Sequence, residues 1–258
     1  MKTPPQEKKP DQSGLVRINQ FLSRSGVASR RQADTLIEKG KVRVNDTVRT
    51  EPGFKINPQT DRVEYQHSNT SWHTVEQTGE TLILALYKPR GYVTSLAKQG
   101  KDPIIAELLP KSPRVYPIGR LDKDSEGLIL CTNDGALAAD LTHPSSHIEK
   151  DYTVHVTIPK TMTEDALKGK LGRLAKGMRM DERKTLPATM TFIKYLRPQM
   201  VEIHITLKEG RNRQIRRMLG SIDCEVYRLI RTRIGKLSLD ALNLPHGEYK
   251  EVGYSDIR

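Results

Sequence analysis

Cysteine is nearly missing from this chain: 258 residues hold only Cys131 and Cys224. Both stand among apolar neighbours, which points to reduced, buried thiols and against a disulfide framework or a thiolate metal site. Long apolar runs are missing too. The longest, Leu82 to Tyr87, is far short of a bilayer span, and the opening MKTPPQEKKPDQSG has no apolar core of the kind a secretion signal needs. A cytoplasmic protein with no membrane partner is the expectation. Three catalytic signatures are also absent. There is no G-x-S-x-G and no G-x-G-x-x-G, and the P-loop spacing of Gly172 to Gly177 is followed by Met178 where lysine is required. His143, His147 and Glu149 could be imagined as metal ligands, but Pro144 interrupts a helix there and no Cys pair or Asp cluster completes the set. No metal and no cofactor are expected.

Positive charge is abundant. The formal net charge is +12, which suggests a polyanionic partner such as nucleic acid. The excess is concentrated in two stretches: eight Lys/Arg against three acids from Leu15 to Thr50, and nine against three from Ile205 to Lys236.

The first basic stretch follows a Pro-, Lys- and Gln-rich segment, residues 1–14, that reads as a disordered tail. Ile18, Phe21 and Leu22 recur at helical spacing, as do Ala33, Leu36 and Ile37, so two short amphipathic helices should meet near Gly26. Ser29 and Gln32 have capping-box spacing, and Gly40 is a good stop. VRVN, Asn45-Asp46 and TVRT then read as a hairpin. Arg17, Arg24, Arg30, Arg31, Lys41 and Arg43 are the candidate phosphate-binding residues. The stretch VRINQFLSRSGVASRRQADTLIEKGKVRVNDTVR resembles the S4-type RNA-binding domain. The small domain is placed at 15–65 and a linker at 66–80, with Trp72 and His73 in local packing roles.

The large domain, 81–258, opens with the buried strand TLILALYKP, turned by Lys88 to Gly91. A short helix is expected over Asp102 to Leu109. Strands at Val115 to Ile118 and Leu128 to Cys131 flank a charged loop, and a helix over Gly135 to Thr142 should be capped by Asn133 or Asp134. EKDYTVHVTI is a strand. Thr161 and Glu164 have capping-box spacing before a helix of about eight residues. Strands follow at Ala188 to Tyr195 and Val201 to Leu207, then the basic helix RNRQIRRML, then short strands and turns. Strands dominate without a regular βα repeat. The fold class is therefore α+β, a mixed, largely antiparallel sheet preceded by a small α/β domain.

The loop GRLDKDSEG draws attention because rigid flanks suit a carboxylate that must be aimed. Taken alone, Asp122 reads more readily as turn chemistry than as a catalytic group, and Asp124 and Glu126 as solvated turn residues. A nucleophilic carboxylate in a closed pocket needs a fixed cation, and Arg216 could supply it. Four motifs decide the matter in order: G-R-L-D, D-S-E-G-L, the K-x-Y of Lys150 to Tyr152, and G-R-N-R-Q-I-R-R-M. Together they resemble the RsuA class of bacterial ribosomal-RNA pseudouridine synthases, a class that commonly carries an N-terminal S4-type domain.

The resemblance implies an isomerase of the pseudouridine-synthase fold that flips a uridine out of folded RNA. It implies Asp122 as the catalytic carboxylate, Tyr152 stacked on the uracil, Arg216 paired with Asp122, and Arg120 filling the space of the expelled base. Leu229 would pack the tyrosine and base, Lys88 with Pro89 would shape the pocket floor, and Arg211 and Arg213 would bind substrate. Tyr87 stands where the family often has asparagine. The implied substrate is ribosomal RNA, free or in a pre-ribosomal particle, with the large subunit favoured over the small and a tRNA left open; the protein is expected to be a monomer. The competing reading is a non-catalytic RNA-binding or ribosome-assembly factor, for which the set Asp122, Tyr152 and Arg216 would have no use.

Overall fold

The computed structural model describes residues 14–66, 71–76, 81–98 and 100–258. The chain divides into two units, one formed by residues up to 80 with Lys111–Arg114, the other by Thr81–Pro110 with Val115–Arg258. The tail expected over 1–14 lies outside the described residues, apart from Gly14.

The small unit runs β1 (Val16–Arg17), α1 (Ile18–Arg24), α2 (Arg30–Glu38), β2 (Val42–Val44), β3 (Thr47–Val48), β4 (Lys55–Ile56), β5 (Val63–Tyr65) and β6 (His73–Thr74). The capping box at Ser29 and Gln32 is formed as the spacing predicts. Asn45 and Asp46 both take positive φ, +49° and +66°, the two-residue primed turn that matches strand twist. Ile18, Phe21, Leu22, Ala33 and Ile37 from the helices bury against Val42, Val44, Ile56 and Val63. The sheet order is β3-β2-β5-β6. Because β6 pairs with β5, residues 73–74 extend this sheet inside the stretch expected to be linker.

The large unit continues with β7 (Ile83–Lys88), β8 (Tyr116–Ile118), β9 (Glu126–Thr132), α3 (Gly135–Thr142), β10 (Lys150–Thr157), α4 (Glu164–Ala175), β11 (Arg179–Met180), β12 (Arg183–Lys184), β13 (Thr189–Arg197), β14 (Met200–Leu207), α5 (Gln214–Gly220), β15 (Glu225–Ile234), β16 (Leu237–Ser238), α6 (Leu239–Leu242) and β17 (Tyr249–Glu251). Nine strands form one sheet in the order β13-β14-β10-β15-β9-β7-β17, with β16 on β15 and β8 on β9. Every pairing is antiparallel except β15 with β9. The α+β expectation holds.

Strand β9 is buried along its whole length. Leu128 and Leu130 face one apolar cluster while Ile129 and Cys131 face another, so its continuous apolar run is that of a strand covered on both sides. Local signals erred in several places. Thr163, not Thr161, caps α4, which reaches 12 residues. Asp134 is the cap of α3. Only the 3-10 turn Ile105–Glu107 forms within Asp102 to Leu109. The largest error is β15, ten residues where short strands and turns were expected. Its alternation is broken by register shifts opposite Asp151/Tyr152 and His155/Val156, each of which resets the period-two pattern.

The two halves of the sheet meet where Gly127 lies opposite Arg231 in the parallel pairing. Gly127 has φ +109°, and a Cβ there would overlap the Arg231 carbonyl and amide. Gly127→Ala should therefore lower stability by at least about 2 kcal/mol, read as a reduced urea midpoint. Gly53→Ala, where the added carbon meets nothing within 4 Å, should stay within about 0.5 kcal/mol.

Candidate active site

The loop between β8 and β9 carries Asp122 and is held at four points. Thr94 grips Leu121 from both sides, its hydroxyl donating to the carbonyl at 2.6 Å and accepting from the amide at 3.2 Å. The Gly91 amide donates to the Lys123 carbonyl at 2.8 Å. Arg216 Nη2 donates to the Asp124 carbonyl at 3.1 Å. Lys88 Nζ donates to the Ser125 carbonyl at 2.6 Å and to that of Pro89 at 3.0 Å. Gly119, at φ +76°, makes the turn out of β8. A loop pinned on both sides of its aspartate presents that carboxylate in one place.

Asp122 faces a cavity of about 510 Å³, within the size range of small-ligand sites. Its far wall is sheet. Tyr152 on β10 is 8% exposed and shares an apolar cluster with Leu229 on β15, and both line the cavity, as do Ile118, Leu130, Ile148 and Ile234. Arg120 and Arg213 are exposed members of the lining. The arrangement offers an apolar slot with an aromatic side, a carboxylate at one edge and cations around it. That set suits a flat, uncharged ring whose charge changes during reaction.

The cations are distributed differently from the sequence expectation. The ion pair with Asp122 is made by Arg213, Nη1 to Oδ2 at 3.6 Å. Arg213 sits at φ +49° at the start of α5. Arg216 instead spends its guanidinium on two carbonyls, Asp124 and, at 3.0 Å, Val226. Burial, and then the nearby Arg213 charge, lower its pKa from the ordinary arginine value. Arg211 also lines the cavity, and its guanidinium bonds Glu209 and the carbonyls of Met180, Arg183 and Lys184, tying the β11–β12 hairpin to the segment that leads into α5. Lys88 is fully buried beneath the loop and braces it without lining the cavity. Glu126, expected to be solvated, is 4% exposed and paired with Arg228. Asp124 is exposed as expected.

In the small unit, Arg17, Arg30 and Arg31 are exposed, while Arg24 and Lys41 are half-buried. Arg43 is committed to Glu64 through two hydrogen bonds, 2.7 and 3.0 Å, and lies over the Trp72 ring. The Arg43 hydrogen bonds hold the Glu64 carboxyl below its usual value. Arg43 therefore joins two strands, β2 and β5.

Two residues that shape the site carried no motif. Thr94 had no signal at all. Arg231 stands two positions after Leu229, so strand alternation alone would have put both on one face.

Lys88→Met should leave the buried Ser125 carbonyl unpaired and cost about 2 kcal/mol, with activity falling more than stability because the loss is beneath Asp122; urea midpoints and turnover check this. Lys150 gives a pH test. Burial, with a smaller contribution from Arg231, pushes it from 10.5 down to about 8. The unfolded chain keeps that proton longer than the folded one, so wild-type stability gains from this group as pH rises from about 8 to 10.5 and lacks that gain below. Any stability advantage of Lys150→Met over wild type should be greatest at pH 7 and shrink by pH 10. An unchanged difference in midpoint would contradict the assignment.

Residues 82–221 match the RNA pseudouridylate synthase family and residues 16–63 the S4 domain. The ribosomal large subunit pseudouridine synthase B of Bacillus subtilis is 36% identical over 247 residues, covering 95% of each chain. The dual-specificity RNA pseudouridine synthase RluF of Escherichia coli K12 is 35% identical, covering 94% of this chain and 77% of its own. A crystal structure of a pseudouridylate synthase superposes with a TM-score of 0.61 at 27% identity, over 94% of this chain and 98% of that one. With a loop-mounted aspartate, a buried tyrosine opposite it and relatives matched along nearly its whole length, the chain belongs to the RNA pseudouridylate synthase family and is an isomerase with an N-terminal S4 domain.

Proposed function

We propose that this protein converts a uridine of ribosomal RNA, with large-subunit RNA favoured, to pseudouridine in the cavity between Asp122 and Tyr152. It acts as a monomer on RNA that is free or within a pre-ribosomal particle. The observation that carries this reading is the convergence of Asp122, Tyr152 and Leu229, from three separate stretches of chain, on one cavity of nucleobase scale. The ribosomal substrate is supported by the name of the Bacillus subtilis relative.

The chemistry assigns roles. The bond from uracil N1 to ribose C1′ breaks, the base turns, a bond forms from C5 to C1′, the C5 proton leaves and N1 gains one. Asp122 is the group that forms a covalent link while the base is detached. Tyr152 and Leu229 hold the ring by stacking and packing, and Tyr152 helps move the C5 proton. Arg213 supplies the charge beside Asp122, and Arg216 positions the loop through the Asp124 carbonyl. Arg120, exposed at the rim, takes the place of the flipped nucleotide in the RNA. Arg17, Arg30 and Arg31 hold phosphates, with Arg24 and Lys41 flanking them.

Ribosomal RNA tritiated at uracil C5 should release tritium with the wild type, and Asp122→Asn should reduce release to background. A variant with undiminished release would sink the assignment. Replacing Arg30 and Arg31 together with alanine should weaken RNA binding and flatten the slope of log K against log salt by about 1.5, with the loop chemistry intact at saturating RNA. An unchanged slope would show that these residues hold no phosphate. A wild type that binds ribosomal RNA yet never forms pseudouridine would favour the assembly-factor reading.

A further inference from the structure

Three buried side-chain polar atoms in the large unit have no hydrogen-bond partner among the described residues: Ser125 Oγ, Arg216 Nε and Arg231 Nη2. All three residues line the same cavity. Buried polar groups are almost always satisfied, so a cluster of exceptions around one cavity marks where a guest supplies the missing partners. Arg231 is the most telling of the three. It is 5% exposed, and among the described residues its side chain makes one hydrogen bond, from Nε to the Leu128 carbonyl at 2.7 Å.

Its position is fixed by the sheet. Arg231 is the ladder partner of Tyr152, so both side chains project from the same face, and Leu229, two residues earlier, lies on that face as well. The bond to Leu128 carries the guanidinium across the face from β15 toward β9, the strand that leaves the Asp122 loop. The guanidinium therefore spans the floor between the tyrosine and the aspartate sides. Arg120 and Arg213, by contrast, are exposed at the rim, where phosphates of a bound RNA remain.

We propose that Arg231 contacts the substrate base, its free guanidinium edge donating to a carbonyl oxygen of the flipped uracil and holding the negative charge that builds on the ring when the bond to C1′ breaks. This rests on the functional reading above. Breaking that bond leaves its electron pair on N1, delocalised onto the O2 and O4 carbonyls, so a fixed donor there is stronger in the transition state than in the bound substrate. Where the oxygen it meets is O4, the same donor also selects the base. Uracil presents an acceptor at O4 where cytosine presents an amino group, and a guanidinium facing an amino group is left unpaired, the arrangement that discriminates most strongly. Lys150 lines the same wall, partly buried there and hydrogen-bonded to the Ile148 carbonyl at 3.0 Å.

The test uses the full-length protein and large-subunit ribosomal RNA transcribed with uridine, 2-thiouridine or 4-thiouridine, since sulfur is a poor hydrogen-bond acceptor. Arg231→Met should lower kcat on the uridine transcript about 100-fold with KM for RNA within about threefold. The wild type should lose about tenfold in rate on one of the two thio transcripts, whereas Arg231→Met should be nearly indifferent to that substitution. Arg231→Lys, which keeps the charge, should recover part of kcat. Should Arg231→Met fail to unfold cooperatively, Arg231→Lys carries the thio comparison, and its ratio should be narrower than wild type. A wild-type thio ratio in the folded variant, or a retained kcat, overturns the proposal; so does a loss that appears only in KM and vanishes at low salt, which would mark a phosphate contact. A wild type that converts no uridine in any ribosomal transcript overturns the functional reading itself.

Discussion

The parallel pairing of β9 with β15 is the constraint on which the site depends. It is a brief ladder in an otherwise antiparallel sheet, yet it joins the two halves of that sheet. One side, β7, β8 and β9, carries the aspartate loop; the other, β10, β14 and β15, carries the tyrosine and its apolar packing. Without Gly127 the backbones could not come this close. The distance between the carboxylate and the aromatic wall is therefore set by main chain, which deforms less readily than side chains.

Around that junction the charged residues divide into two groups. Arg211, Arg216, Arg228 and Lys88 are spent on carbonyls and carboxylates of the protein itself. They fix the hairpin, the loop and the strands in the manner of buried donors elsewhere. Arg120 is exposed on the rim, Arg213 there pairs with Asp122, and Arg231 on the floor keeps one guanidinium nitrogen without a partner among the described residues. A count of basic residues thus overstates the surface offered to a polyanion, since many of the cations in the second basic stretch work inside the fold.

Much of this was legible in the sequence, because the strongest patterns are local. The Ser29 capping box, the Asn45-Asp46 turn and the run from Leu128 to Cys131 each specify their structure through neighbours in sequence. The family motifs carried Asp122, Tyr152 and Leu229 to one place. What failed was long-range or broken in period. Strand β15 hides its alternation behind two register shifts, and arginines stand at interior positions where apolar residues were sought. Asp122 pairs with Arg213, three residues before the arginine expected beside it, and the left-handed backbone at Arg213 is a detail no spacing rule encodes. Glu126 read as a turn residue because its partner, Arg228, lies 102 positions away.

The four clamps on the aspartate loop have a consequence for RNA selection. Thr94, Gly91, Arg216 and Lys88 fix the loop within the free protein, so its ordering is complete before any nucleic acid arrives. A loop held this way before binding leaves the cost of flipping to the RNA. Among uridines that the protein can reach, those whose stacking and pairing are weakest leave the helix at least expense. Target choice then becomes in part a property of local softness in the RNA, set by its secondary structure as much as by any contact the protein makes.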